Sequence, residues 1–513
     1  MGANGSLAVF AILLAWFTLL TEEKRVDLKL RISKLNILFI IFLILTILVV
    51  IYSKVLIKIF PVKPIPWVLG FNEDTLSFSC LCIIIAFFGI KILGKRVPKA
   101  NLTYWITVSE KYLRAKKIEQ LGYLFDKYHE QLFDIISNKK WYVRVHFYLN
   151  PSLFSMVVDK ENIKKIRFRK IRKFLSKFFP YKDKNQEVIQ LNISKLLKSK
   201  FFAHHLIDTH PHVAIKATCL RFKDNNEYNT SLFMYLISNP NSIMYRELRD
   251  NQNRSHTGEY ELDESNALLN FYLNDIRTAI DVAIWKPVGD YVISYIKKQK
   301  GNSNFYNQSD NYFSSSDERW ECPIFAGLVF FDVMVSTAIF KRSKYHMWLM
   351  YYRLFLKEIL ESHEISCSID INREFPMRFD YLMYELIYNC NIWVGATEHL
   401  NYDGRTREEI EQSPEYVAST TLGEMMFLII ASDKLQKKQK IYFLEIVIKR
   451  MNSLDQNKKS FYSEEIFNNL IRPYSFAAVD TNAVNELWQL YKGVDHVLKN
   501  ESSTFEVELS KIH

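Results

Sequence analysis

The hydrophobic pattern changes character near residue 93. Before it, apolar positions are nearly continuous: Leu7–Leu20 is uncharged and almost wholly apolar, Leu35–Ser53 is apolar up to Lys54, and Leu76–Ile90 runs past Lys91 to Leu93. A helix crossing the hydrocarbon core of a bilayer needs about 20 residues at 1.5 Å each. The pattern therefore predicts three transmembrane helices, at about residues 3–21, 35–57 and 75–94. The first segment lacks the basic start and the small-residue cleavage site of a signal peptide. Met1-Gly2-Ala3-Asn4-Gly5-Ser6 matches an N-myristoylation pattern, but a span beginning at Leu7 makes that match a coincidence.

Beyond residue 100 the apolar residues recur at intervals of three and four, the signature of one buried helical face. Tyr112–Ile136 carries them at Leu113, Ile118, Leu121, Leu124, Phe125, Tyr128, Leu132, Phe133 and Ile136. Leu268–Ile296 repeats the pattern with an expected interruption at Pro287-Val288-Gly289, and Phe325–Phe340, Tyr345–Leu360 and Phe379–Val394 are apolar enough for central helices. Thr420–Ser432, Gln439–Met451 and Ala483–Leu498 read as further helices. Strand candidates are few, Trp141–Leu149 and Val188–Leu191. Gly (14 residues) and Pro (13 residues) are scarce in the 513-residue chain, which disfavours turn-rich sandwiches, barrels and propellers.

The expected fold is mostly α: an N-terminal bundle of three transmembrane helices followed by a large helical cytoplasmic domain. Its parts are an anchor at 1–99, a helical soluble region at 100–300, a polar mobile loop at 301–320, and a second helical region at 321–513 that shares a core with the first.

Charge orients this arrangement. The segment 21–34 carries Lys24, Arg25, Lys29, Arg31 and Lys34, against Lys54, Lys58 and Lys63 in 54–75, and Lys95, Arg96 and Lys99 follow the third span. The positive-inside rule then places the N-terminus outside, the first loop inside, the second outside and everything after about residue 95 in the cytoplasm, at an inner membrane. The formal net charge of +11 is focused rather than spread: residues 1–100 hold +7 and residues 160–184 hold +9, leaving −5 for the remainder. In the basic stretch, predicted as an amphipathic helix at 160–179, Ile163, Ile166, Ile171, Phe174, Leu175 and Phe178 share a stripe. Lys164, Lys165, Arg167, Arg169, Lys170, Arg172 and Lys173 fill the other face, a surface suited to anionic lipid or to the phosphates of nucleic acid. A solvated face on an ordinary packed helix is the plainer alternative.

Signals for chemistry are sparse. Six scattered cysteines form no CxxC pair, so neither a zinc framework nor a disulfide scaffold is expected, only reduced, buried thiols. GxSxG, GxxxxGK[ST] and GxGxxG are all absent, which counts against common hydrolases, NTPases and dinucleotide enzymes, and no cofactor is indicated. His204-His205-Leu206-Ile207-Asp208-Thr209-His210-Pro211-His212 concentrates four histidines, and His204 and Asp208 at i, i+4 on a helix form a weak candidate metal pair. Acidic groups at Glu259, Glu261, Asp263 and Glu264, and at Glu408, Glu409 and Glu411, fit helix starts and loops. Tyr345–Tyr352, Trp320 and Trp393 read as core.

Arg249-Asp250-Asn251-Gln252-Asn253-Arg254-Ser255-His256 is similar to the short motif of the all-helical HEPN ribonucleases. That resemblance covers eight residues. It implies that Arg249 and His256 act at a dimer interface on the 2′-hydroxyl and scissile phosphate of RNA, without metal.

Taken together, the residues point to a membrane-anchored regulatory or interaction protein, a sensor or effector in a bacterial defence or stress system. It would associate with the membrane, a partner protein and copies of itself. A HEPN-like ribonuclease and an oligomeric pore are the rival expectations.

Overall fold

Few glycines and prolines leave long runs free to complete helices, and the computed structural model is helical almost throughout. It describes residues 20–59, 73–149 and 174–512, apart from 95, 139, 182, 221, 223, 256–257, 302–303, 310–312, 365–372, 374, 400–405, 473–480 and 502. Among these residues there is no strand, only isolated bridges at Arg254–Tyr260 and Ser309–Met377. The chain divides into two units, 1–225 and 226–513. The first apolar segment, Leu7–Leu20, lies outside the described residues except for its last residue.

The first unit contains α1 (Glu22–Arg31), α2 (Lys34–Ile51), α3 (Ser53–Ile59), α4 (Glu73–Leu93), α5 (Leu102–Arg114), α6 (Ile118–Ser137), α7 (Trp141–Leu149), α8 (Lys184–Lys198), α9 (Lys200–Thr209) and α10 (Pro211–Thr218). Among the described residues, three helices are long and apolar enough to cross a membrane: Lys34–Ile51, Thr75–Leu93 and Pro323–Phe340. The first two pair through Leu43, Cys80 and Ile84 and leave most of their surface open, with 11% and 22% of their length buried. The period predicted across Tyr112–Ile136 breaks into α5 and α6 at Lys116, whose φ of 56° ends the first helix. Leu121, Leu124, Phe125, Tyr128 and Leu132 of α6 are buried, as the spacing required.

Both strand candidates are corrected to helix. Trp141–Leu149 is α7, and Val188–Leu191 lies inside α8. Alternating β-branched and aromatic residues fit either period over so short a run.

The second unit contains α11 (Asn225–Ser238), α12 (Ile243–Asp250), α13 (Ala267–Leu273), α14 (Ile276–Val282), α15 (Trp285–Lys297), α16 (Pro323–Phe340), α17 (Met350–Ser362), α18 (Arg378–Gly395), α19 (Arg407–Glu411), α20 (Pro414–Ala431), α21 (Lys437–Gln456), α22 (Ser460–Ile471), α23 (Thr481–Tyr491), α24 (His496–Glu501) and α25 (Ser503–Ile512). Its centre is α16. Although α16 has the length and apolarity of a span, 94% of it is buried among other helices of the unit, so its hydrophobicity serves a core. Trp348, Tyr352 and Trp393 are buried beside it, whereas Met347 and Met350 of the same aromatic stretch are exposed. The expected break at Pro287 falls earlier, at Ala283 with φ 54°, because Pro287 sits in the first turn of α15 where no backbone donor is needed. A close helix crossing occurs at Gly423 of α20: a Cβ there would meet the Ile466 carbonyl of α22 at 2.4 Å.

Segment 301–320, expected as a mobile loop, packs inward at several points. Tyr306 and Phe313 are buried, and Asn307 Nδ2 donates to the Ser362 carbonyl at 2.9 Å.

Candidate membrane interface and polar clusters

The apolar hairpin α2–α4 continues into the helical body through one arginine. Arg31, the last residue of α1, is 2% exposed. Its Nη1 donates to the Lys91 carbonyl at 2.6 Å and to the Ile92 carbonyl, capping the otherwise unpaired end of α4. Its Nη2 meets Asp27 Oδ2 at 2.5 Å, and Nε donates to Tyr128 Oη at 2.9 Å. Tyr128 donates to Asp27 Oδ1, and Lys127 reaches Asp27 Oδ2 at 2.8 Å. Burial, and then the Asp27 carboxylate, hold the Tyr128 phenol protonated well above its ordinary range. Asn101 Nδ2 donates to the carbonyls of Leu30 and Ile32, both at 2.8 Å, and Gln131 pairs with both backbone groups of Val97. The segments flanking the hairpin are thus tied to α5 and α6 by hydrogen bonds as well as apolar contact.

Around the hairpin, Leu35, Leu38, Phe42 and Leu45 of α2 and Phe78, Ile83 and Ile90 of α4 are exposed. Uniform apolarity on all sides, with little of it covered, is the surface expected of helices solvated by lipid.

Lys164, Lys165, Arg167, Arg169, Lys170, Arg172 and Lys173 lie outside the described residues, and so does most of the predicted helix 160–179. Its described end, at 174–181, docks on α7. His146 Nδ1 donates to the carbonyls of Ser176 (2.9 Å) and Phe179 (2.7 Å), and Trp141 packs edge-on to Phe179 at 6.1 Å between centroids. This junction exposes Trp141, Tyr148, Phe174, Phe178 and Tyr181. Beside it a hollow of about 670 Å³ is lined by Val143, Phe147, Tyr181, Gln186 and Gln190, among others.

His204 and Asp208 lie a turn apart on α9. Burial holds the His204 imidazole below its ordinary value, with Asp208 opposing. A second group forms where α9 turns at Pro211 into α10: Asp126, His129 and His212 place one ligand atom each within 4.8 Å of the others. His212 Nε2 is 3.0 Å from Asp126 Oδ1, and His210 Nδ1 is 3.7 Å from Asp126 Oδ2. Asp126 and His129 escaped notice in the sequence because they stand on a helix read for its apolar face. Their i, i+3 spacing was the available signal.

In the second unit, Arg249 ends α12 half-exposed, with Nη2 3.1 Å from Asp317 Oδ2, while His256 lies outside the described residues. The arginine of that stretch turned into the core is Arg254. With Tyr260 (2.5 Å) and Trp393 Nε1 (2.8 Å) it donates to the buried carboxylate of Asp332. Burial pushes the Asp332 carboxyl up, and Arg254 opposes it. Glu247 is likewise buried; it accepts from the Leu268 and Leu269 amides, and burial raises its carboxyl above the ordinary range. Glu408 and Glu409 occupy the first turn of α19, where Glu409 forms a capping box with Thr406. Among the described cysteines, Cys80, Cys322 and Cys390 are buried, and Cys82 and Cys219 are exposed, which corrects the expectation of uniformly buried thiols.

Compared with known protein families, curated proteins and solved structures, the chain matches none.

Proposed function

We propose that this chain is a membrane-anchored helical regulatory or interaction protein. Its apolar hairpin spans the inner membrane, and its helical units lie in the cytoplasm. The observation that carries the reading is the Arg31 latch. It binds the end of α4 to Asp27 of α1 and Tyr128 of α6, so the segment before the hairpin and the body after it stand at the same end of the paired helices. In a bilayer that arrangement puts α1, α5 and α6 on one side and the far ends of α2 and α4 on the other. The Lys and Arg count of the flanks makes the first side cytoplasmic.

The exposed face of α2 and α4 supports the spanning role, because contiguous apolar surface of that extent is a liability in water. The aromatics flanking the basic segment support a second contact, at the headgroups of an anionic leaflet, where aromatic rings and neighbouring cations act together. A helical body tied by hydrogen bonds to its spans suits the relay of a binding event, whether of a partner protein or of another copy of the chain, to the membrane.

Single cysteines test the arrangement in a background whose native cysteines are replaced by serine. A membrane-impermeant maleimide should label Ile65→Cys in spheroplasts and Lys99→Cys only after lysis, and alkaline carbonate should leave the chain in the pellet. Labelling of Lys99→Cys in sealed spheroplasts, or release by carbonate, overturns the reading.

A further inference from the structure

We propose that Asp126, His129 and His212 form a binding site for a divalent transition metal, zinc by preference. The site follows from how three short stretches meet. Asp126 and His129 project from successive turns of α6, three residues apart and therefore on one face. Opposite them, α9 stops at Thr209 and Pro211 opens α10, so the chain folds back and brings His210 and His212 to α6. Gly122, one turn before Asp126, makes room for this corner: a Cβ there would stand 3.1 Å from His205 Nε2 and 3.7 Å from His210 Cδ2.

His129 carries the argument from cluster to ligand. It is 7% exposed. Its Nδ1 donates to the Asp126 carbonyl at 2.5 Å, which fixes the tautomer and leaves Nε2 as the unprotonated nitrogen. Among the described residues that Nε2 has no hydrogen-bond partner. A buried polar atom left unpaired costs about 1–3 kcal/mol, and this ring offers a ligand atom within 4.8 Å of those of Asp126 and His212. An imidazole that donates one ring N–H to a backbone carbonyl and keeps the other nitrogen free is the usual arrangement of a metal-binding histidine.

The other donors are within reach. The His212 and His129 rings stand 5.5 Å apart, centroid to centroid, and His212 Nε2 already meets Asp126 Oδ1 at 3.0 Å. Ligands around tetrahedral zinc stand roughly 3.3 Å apart, so a separation of up to 4.8 Å closes by a modest swing of the half-exposed His212. Two imidazoles and one carboxylate suit zinc or a neighbouring transition ion; calcium and magnesium prefer oxygen alone. Such an ion would fasten α6 to the α9–α10 corner. A plain ion pair between His212 and Asp126 is the competing account. It leaves His129 Nε2 idle and predicts no metal affinity.

The test uses the full chain in detergent micelles, expressed without a histidine tag, stripped with a chelator and titrated with zinc alone by calorimetry. One zinc per chain is expected, and cobalt at the same site should give the visible absorption of a low-coordinate ion. His212→Gln and Asp126→Asn should each weaken zinc binding by at least roughly tenfold. His496→Gln, at the exposed start of α24, should leave it unchanged. Because His212 is about half-exposed, its variant should keep the helical circular dichroism of the parent, which separates lost binding from lost folding. Absence of stoichiometric binding by the parent chain overturns the proposal, as does binding indifferent to both substitutions.

Discussion

Arg31 Nε donates to Tyr128 Oη at 2.9 Å across 97 residues of sequence, joining the segment before the apolar hairpin to the first long helix of the body after it. Arg31→Met would leave the buried Asp27 carboxylate with Lys127 and Tyr128 but without its guanidinium, and would remove a donor from the carbonyls at the end of α4. Breaking a buried pair by removing one partner costs about 3–5 kcal/mol, and Tyr128→Phe, which removes a hydrogen bond to a charged group, about 1.5–3 kcal/mol. Thermal unfolding in micelles should rank the variants in that order below the parent. Limited proteolysis should cut Arg31→Met faster between residues 94 and 101. Equal resistance in all three chains would show that the contact does not hold the hairpin.

The two faces of α2 should respond differently to charge. Phe42 is 64% exposed and Leu43 only 7%, packed toward α4. Phe42→Lys sets a cation among lipid tails at a cost of about 2.5–3.5 kcal/mol and should lower the carbonate-resistant fraction of the protein. Leu43→Ala should keep the chain in the membrane while loosening the hairpin, read as a lower unfolding temperature. The reverse pattern would show that α2 is covered by protein rather than lipid.

Glu247 makes stability depend on pH in a definite direction. Burial lifts its carboxyl above the ordinary value of 4.5, although the Leu268 and Leu269 amides oppose the shift. A folded-state value above the unfolded one means that protons bind the folded chain more tightly. The contribution is therefore complete below the unfolded value and fades as pH rises through the folded one. Glu247→Gln should flatten this dependence, so the parent loses ground to the variant as pH rises above the ordinary carboxyl value of 4.5. Unfolding temperatures of the two chains across that range check it, and parallel curves refute it.

Gly423→Ala tests the close crossing of α20 and α22. The added methyl would meet a backbone carbonyl at 2.4 Å, which no rotamer change relieves. Overpacking of this kind costs about 1–3 kcal/mol, far more than the gain in helix propensity, so the unfolding temperature should fall. Gly122→Ala meets side chains rather than backbone, the His205 ring at 3.1 Å and the His210 ring at 3.7 Å, and should be the milder of the two.

The long elements were legible because their patterns were long. The apolar run of α2 and the three-and-four spacing of α6 each leave few alternatives. α16 was read as a central helix, and its 94% burial agrees, though its composition would also suit a span. What separates α16 from α2 is the set of helices packed around it, which no local pattern contains. Breaks were harder to place. Lys116 and Ala283 adopt positive φ without being glycine, so turn chemistry did not mark them. Strand expectations at Trp141–Leu149 failed because alternation over nine residues also fits a helix, whose His146 grips the carbonyls of Ser176 and Phe179. In the histidine cluster, the sequence displayed His210 and His212 but hid their counterparts, since Asp126 and His129 lie more than 80 positions earlier and meet them only through the fold.

One mechanical consequence follows from the cap on α4. Because Arg31 grips the last turn of that helix while fastened to Asp27 and Tyr128, the hairpin cannot pivot independently of α6. If the hairpin spans a bilayer, thinning or bending of that bilayer would reach α6 as torque at the very turn that also bears Asp126 and His129.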